Sequence, residues 1–309
     1  MGEFPASVSA SAPEFGSVSL VCIRGDGSHR ARTRQGSGYN AGVFLHRERD
    51  PAGPLFITQV SHAWLAWQIA EHWGNRAFAR PAPRAEVLAA VLLHDGGWTD
   101  FDPDPGVDED GRPVTFDRMP PAAHLDIWRS SVARAAEHSR YAGLLVAAHH
   151  SRLVERKTGA LLDRSDTTGA RAAQAFRAEM ERLQATWREG LKVDARYRPY
   201  LEGAAWEASL ALLEACDSVS VYLCAQLGAP FTVTAHSPSG DLREIRVSSD
   251  DGVVWRVHPW PLEGERVRLH CEGRRTAGAR FPSRETLSEA LRRAPTERLT
   301  FVLERPSAG

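Results

Sequence analysis

The chain has 309 residues, of which 42% are hydrophobic, so it is long enough and apolar enough to bury a sizeable core. Its 38 basic and 39 acidic residues leave a formal charge of -1, which excludes a general attraction to nucleic acid or to anionic membranes and favours a small-molecule partner. The four cysteines are scattered and form no C-x-x-C pair, which is typical of a reduced, cytoplasmic protein.

The first part of the chain is expected to hold a tail and two short strands. Residues 1–16 are rich in Ser, Ala and Pro and lack both a basic start and an apolar run. They therefore predict a disordered tail and not a secretory signal. The segments SVSLVCI (17–23) and AGVFLH (41–46) predict strands around a loop rich in Gly, Arg and Ser.

Helices are predicted to dominate from residue 57. Residues 58–73 place His62 on an apolar stripe at helical spacing. Residues 84–95 predict a second apolar helix, which Gly96-Gly97 would close as a left-handed C-terminal cap. Further helices are predicted at 122–137, 139–152, 166–190 and 201–226.

Residues 99–121 separate these helices and hold five prolines and many acids. Such a segment predicts a long loop, and long loops often cover sites. The acids resemble a calcium loop only superficially, because the prolines and the missing bidentate Glu break that pattern. A solvated lid is the expected role of this segment.

From Phe231 the apolar pattern changes to the alternation typical of strands, with one helix predicted at 283–293. The sequence thus predicts a helical domain over 17–230, with strands at its N-terminus, and a C-terminal α+β module over 231–309. The most apolar stretch, 208–231, is interrupted by charged residues and does not reach the ~18 uncharged residues of a membrane span. No membrane segment is expected, and no oligomeric state is predicted.

Several of the 12 histidines lie on apolar helix faces. The predicted helices point His62, His94, His149 and Asp217 inward. A buried carboxylate without a partner costs several kcal/mol, and one divalent cation shared among imidazoles and carboxylates would satisfy all four groups. Asp95 projects about 100° from His94 around a helix and can still reach such an ion.

Each of these residues has a simpler interpretation when it is taken alone. A single buried histidine is usually a hydrogen-bonded core residue, and Asp217 could pair with an arginine instead of a metal. The order His, His-Asp, His, Asp, with each member on an apolar helical segment, favours the metal site over a set of coincidences.

This order, H…HD…H…H…D, resembles the HD-domain superfamily of metal-dependent phosphohydrolases and oxygenases. The resemblance implies a mainly α fold, an HD-domain-like helical bundle with a short N-terminal β element and a small C-terminal α+β module. It implies His62 as the first ligand, His94 and Asp95 as the doublet, and Asp217 as the last ligand.

In two-metal members of that superfamily the doublet Asp bridges both ions and two further histidines bind the second. His124 and His149 are the expected pair. His150 could replace His149. His138 is a competitor, although Ser139 resembles an N-cap that separates it from the helix of His149.

A narrower resemblance is to an uncharacterised bacterial family of unknown function, over roughly residues 17–305. It is carried by ITQVSHAWLAWQIAEHWG, LLHDGGW, GRPVTFDRMP, HLDIW, LLVAAHH and HPWPL. The sequence lacks the Lys that follows the doublet in many two-metal phosphodiesterases, and it lacks the Glu and Gly-Tyr-Pro signature of the cyclic-dinucleotide enzymes. It also lacks the acidic pair of the alarmone hydrolases, so those substrates are not expected.

Three functions are compatible with these residues. The first is a hydrolase of a phosphate ester of a small molecule or nucleotide, in which Arg118, Arg152 and Trp98 would meet the substrate. The second is a di-iron oxygenase of the HD type that acts on a small substrate, and the third is a non-catalytic metal-containing sensor or scaffold. The expected cofactor is one or two divalent ions, iron, manganese or zinc, because imidazole and carboxylate suit all three.

Overall fold

The computed structural model describes residues 44–47, 50, 52–114 and 119–306. The predicted tail and the predicted strand at 17–23 lie outside these residues. The helices are α1 (Gln59–Glu71), α2 (Arg84–Leu93), α3 (Pro121–His138), α4 (Arg140–Asp163), α5 (Thr167–Lys192), α6 (Gly203–Ala225) and α7 (Arg284–Arg293). The strands are β1 (Phe44–Arg47), β2 (Leu55–Thr58), β3 (Phe231–His236), β4 (Leu242–Ser249), β5 (Val254–His258), β6 (Arg266–Arg275) and β7 (Thr296–Glu304).

These strands form one sheet in the order β1-β2-β6-β7-β5-β4-β3. Its neighbours are antiparallel except for β5 and β7, which are parallel. The pairing of β2 with β6 sets Leu55 opposite Arg275 and Phe56 opposite Arg274, so the N-terminal and C-terminal strands belong to the same sheet.

The fold is therefore α+β, and the predicted mainly α, HD-domain-like helical bundle is wrong. The seven-stranded mixed sheet is too large to be an appendage of a bundle, because one continuous core contains its inward side chains and those of the helices. Local periodicity does not identify the partner of a strand, which is why the prediction separated the N-terminal strand at 41–46 from the C-terminal strands. The four-residue strand β2 was not predicted. The predicted division of the chain at residue 231 stays a prediction.

Helix α1 lies between this sheet and the other helices. The side chain of Thr58 caps its first turn by accepting the Ser61 N–H at 3.0 Å. On the side toward β6, the Ser61 hydroxyl bonds to Glu272 and the Gln68 amide bonds to His270, in both cases through backbone groups of the strand. The sheet thus fixes the position of α1 through polar contacts as well as through packing.

After α2 the chain forms a short 3-10 helix over Gly96–Asp100. Gly97 lies so close to α3 that a Cβ atom built on it would be 2.1 Å from the Ile127 carbonyl oxygen, and its N–H bonds to the Ser131 hydroxyl at 2.9 Å. The Gly96-Gly97 pair therefore serves close packing. It does not form the predicted left-handed cap, since neither glycine has a positive φ.

The predicted break at Ser139 is confirmed, because α3 ends at His138 and α4 begins at Arg140 with Ser139 extended between them. Among the described residues one helix, α6, is long and apolar enough to cross a membrane by length and composition. About 72% of its most apolar window is buried inside the protein, which is the behaviour of a core helix. The predicted cytoplasmic location stays a prediction.

Candidate metal centre

Four helices bring the predicted ligands to one place in the core. His62 lies in the second turn of α1, His94 and Asp95 directly follow α2, and Asp217 lies in the middle of α6. His149 comes from α4. The three histidines are each 1% exposed and the Asp95 residue 9% exposed, so no bulk water surrounds them.

The ligand atoms of His62, His94 and Asp217 all lie within 4.8 Å of one another. His94 Nε2 is 3.4 Å from Asp217 Oδ1 and 3.8 Å from Asp95 Oδ2. His149 Nε2 is 3.5 Å from Asp217 Oδ2. Metal–ligand bonds of about 2.0–2.2 Å set neighbouring ligand atoms roughly 3–3.5 Å apart, so these distances suit atoms that share one ion.

Backbone and hydroxyl groups orient the rings of the first two histidines. His94 Nδ1 donates to the Val91 carbonyl oxygen at 2.7 Å, which leaves Nε2 as its lone-pair nitrogen toward the carboxylates. The Ser220 hydroxyl donates to the Asp217 carbonyl oxygen at 2.8 Å, so it accepts the hydrogen bond from His62 Nδ1 at 2.8 Å. Hydrogen bonds of this kind fix the tautomer of metal-binding histidines.

The remaining nitrogen of His62, Nε2, lies 2.8 Å from Asp95 Oδ2. With the His62 proton already donated to Ser220, this contact would join a nitrogen lone pair to a carboxylate. A cation shared at this point, either a proton or a metal ion, would make the contact favourable.

The electrostatics of the centre favour positive charge. Burial alone would lower the pKa of His94, but Asp95 and Asp217 raise it to about 9. Burial alone would raise the pKa of Asp95, but His94 and His62 bring it below the usual value of an aspartate. The two buried carboxylates thus attract positive charge to the centre.

His149 and its neighbour His150 add four ring nitrogens without a hydrogen-bond partner among the described residues. Burial lowers the pKa of His149 well below its usual value and that of His150 to about 4, so both rings are neutral. Buried polar atoms without partners cost about 1–3 kcal/mol each. Each neutral imidazole offers one lone pair, which a metal ion or a hydrogen-bond donor would satisfy.

The other predicted site residues lie in different surroundings. His124 is buried, but its Nδ1 contacts Lys157 Nζ at 2.9 Å. His138 is exposed at the end of α3, away from the cluster. Trp98 is 1% exposed and packs against the His124 ring, with 5.4 Å between ring centroids. Arg152 pairs with two glutamates of α6.

Arg118 lies outside the described residues. Three residues that contact predicted site residues were not themselves predicted, namely Ser220, Lys157 and Asp102. Asp102 was expected to be a solvated lid acid, but it is 8% exposed. Burial and then the negative charge of Asp95 raise its pKa to about 8, while the backbone N–H groups at the start of α1 oppose that shift. Only Ser220 had a local signal, since it lies one turn after Asp217.

The model of a family described as a protein of unknown function (DUF3891) matches residues 45–277, which is more than half of the chain. No curated protein and no solved structure matches the chain. The expected membership of the HD-domain superfamily is wrong, because the match is to a different family and the fold is α+β. The order of ligand residues along a chain indicates which side chains could share a metal site. It does not determine how the strands and helices are connected.

Proposed function

We propose that this chain, which belongs to the DUF3891 family of unknown function, is a metal-dependent hydrolase of small phosphate esters. Its metal ion would be held by His62, His94 and Asp217, with Asp95 and His149 in the same centre. Iron, manganese and zinc all suit this donor set.

The observation that carries the proposal is the meeting of ligand atoms from three separate helices within 4.8 Å. The helices that supply them are far apart in sequence, so local structure alone does not bring the ligands together. The orienting contacts of His62 with Ser220 and of His94 with Val91 support the same conclusion, because they direct the lone-pair nitrogens toward the carboxylates.

Hydrolysis would suit a divalent ion held by His62, His94 and Asp217, because three protein ligands would leave room for a water molecule on the ion. A bound divalent ion lowers the pKa of its water to about 7 and so supplies hydroxide at neutral pH. Asp95 contacts both His62 and His94, so its carboxylate would orient these two rings and would add negative charge beside the ion. The enclosed position of the cluster strengthens each of these charge interactions.

The phosphate ester is the proposed substrate because Lys157 brings a positive charge against His124, whose ring packs on Trp98, and Trp98 in turn bonds to the Asp95 carbonyl oxygen. Arg152 is a weaker candidate for this role, since Glu207 and Glu214 already engage its guanidinium at 2.7 and 3.0 Å. Charge on the substrate would therefore be met by the metal and not by Arg152.

The test is metal analysis of protein purified without chelator, followed by a turnover screen of aryl phosphate monoesters and diesters. We expect one or two equivalents of metal in the wild type. His94→Ala and Asp217→Asn should each lose metal and turnover. His138→Ala is the matched control, because that histidine is exposed at the end of α3, and it should retain both.

Two outcomes would overturn the proposal. If the wild type bound metal and consumed oxygen when iron-loaded but hydrolysed no ester, the centre would be an oxygenase. If His94→Ala and Asp217→Asn lost metal and unfolded while the wild type turned over no substrate, the metal would be structural.

A further inference from the structure

His124, near the start of α3, and the half-buried Lys157, in the C-terminal half of α4, form a pair between these two helices. Lys157 Nζ is 2.9 Å from His124 Nδ1. His124 is 6% exposed, and its ring packs on Trp128 with 4.4 Å between centroids. The ammonium also lies over the Trp128 ring, 5.9 Å from its centre.

The direction of this hydrogen bond fixes the tautomer of His124. A lysine ammonium has three donors and no acceptor, so Nδ1 of His124 must accept. The neutral ring then carries its proton on Nε2. Burial, and after it the Lys157 charge, lower the pKa of His124 well below its usual value, so this neutral form persists at neutral pH.

The same bond argues against the predicted role of His124 as a ligand. Metal ions bind a ring nitrogen that has a free lone pair. Nδ1 already accepts from Lys157, and Nε2 carries the proton. In this arrangement His124 is a hydrogen-bond donor.

Two contacts connect this donor to the metal centre through Trp98. The backbone N–H of Trp98 donates to the Asp95 carbonyl oxygen at 3.1 Å. The Trp98 ring packs edge-on against His124, and its indole N–H is buried without a hydrogen-bond partner among the described residues. A buried N–H that lacks an acceptor indicates that an acceptor from outside the protein belongs there.

We propose that the Nε2–H of His124 and the indole N–H of Trp98 bind an anionic phosphoryl oxygen of the substrate. Lys157 is the positioning residue, because it fixes the His124 tautomer and adds positive charge. This inference rests on the proposed hydrolase and narrows its substrates to those that carry an unesterified, negatively charged phosphoryl oxygen. A site whose buried N–H groups require an acceptor binds substrates without an anionic phosphoryl oxygen much more weakly.

The tautomer is tested first, by long-range proton–nitrogen NMR of protein labelled with ¹⁵N-histidine, with and without added zinc. We expect His124 to carry its proton on Nε2 in both states. Lys157→Met should remove that preference, Lys157→Arg should retain it, and the His124→Phe variant assigns the signal. A proton on Nδ1, or a zinc-dependent shift of the His124 nitrogens that marks coordination, would overturn the proposal.

Anion binding is tested second, by calorimetric titration of the zinc-loaded protein with inorganic phosphate. Loss of a donor to a charged group should weaken phosphate binding roughly tenfold in His124→Phe and in Lys157→Met. The chain has one other lysine, and Lys192→Met, a surface change on α5, should leave binding unchanged. Zinc content should be the same in all variants.

The two proposals fail in different ways. If the protein binds no metal, the hydrolase proposal falls, whereas the His124 tautomer can still be read from the metal-free protein. If metal and turnover are present but phosphate binds equally well to His124→Phe and to the wild type, the anion-binding role of His124 is refuted and the metal centre stands.

Discussion

The hydroxyl of Ser220 makes a direct test of how the metal centre is ordered. It accepts from His62 Nδ1 and donates to the Asp217 carbonyl oxygen, so one buried side chain links two of the proposed ligands. Removing an outer partner of a ligating histidine typically costs about 10- to 100-fold in metal affinity. For Ser220→Ala this corresponds to about 1.4–2.7 kcal/mol of binding free energy.

The assay is competition between the protein and a chromophoric zinc chelator, with the thermal midpoint of the metal-free protein measured in parallel. Ser209→Ala is the matched control, because Ser209 is also a buried serine of α6 and its hydroxyl bonds to the Ala82 and Ala205 carbonyl oxygens and not to a proposed ligand. Equal zinc affinity in Ser220→Ala and Ser209→Ala would refute the reasoning. If Ser220→Ala lowered the stability of the metal-free protein without lowering its zinc affinity, Ser220 would serve only as a hydrogen-bond partner of the buried His62 ring.

Three further predictions concern stability. Gly97→Ala should destabilise the protein by about 1–3 kcal/mol in urea unfolding, because the new Cβ would meet the Ile127 carbonyl oxygen. Gly159→Ala is the control, since nothing lies within 4 Å of that position, and it should stabilise the protein by about 0.5–1 kcal/mol. Zinc at a free concentration of about 100 times its Kd should stabilise the wild type by about 2.7 kcal/mol in thermal unfolding, and Asp217→Asn should lose this gain. Burial raises the pKa of the Tyr141 hydroxyl, so the contribution of Tyr141 to the free energy of unfolding is complete below pH ~10 and falls as the pH rises. In alkaline melts, Tyr141→Phe should therefore lose less stability with rising pH than the wild type.

The helices were predictable because their information is local. Apolar spacing located α5 and α6 to within two residues at each end, and Ser139 marked the break before α4. The C-terminal half of α4 was missed because it is polar and its burial depends on α5 packing against it. Tertiary contacts of this kind do not appear in a single-helix pattern.

The candidate site was predictable where a charged residue lay on an apolar helix face, as with Asp217. Lys157 gave no such signal, since a lysine on a polar helix segment is normally solvated. Asp102 was misread for the opposite reason, because an acid among prolines suggests a solvated loop, while here the first turn of α1 packs over it. The contacts of Lys157 and Asp102 depend on which helices pack together, so they can be recognised only when the fold is known.

The sheet gives a last prediction, about the boundary expected at residue 231. A fragment that ends at residue 230 would lose β6, and with it the backbone groups that hold Ser61 and Gln68 of α1. It would also expose the face of α6 that packs on β3, in a core that is continuous across the boundary.

We therefore expect the fragment to lack a cooperative unfolding transition and to bind zinc at least tenfold more weakly than the whole chain, because His62 would no longer be held in place. Circular dichroism melts and zinc competition measure both effects. A fragment that melts cooperatively and retains the wild-type zinc affinity would show that residues 231–309 form a separate module and that the helices alone define the centre. The contacts from α1 to β6 argue for the opposite result, since they tie the helix that carries His62 to a strand more than 200 residues away in sequence.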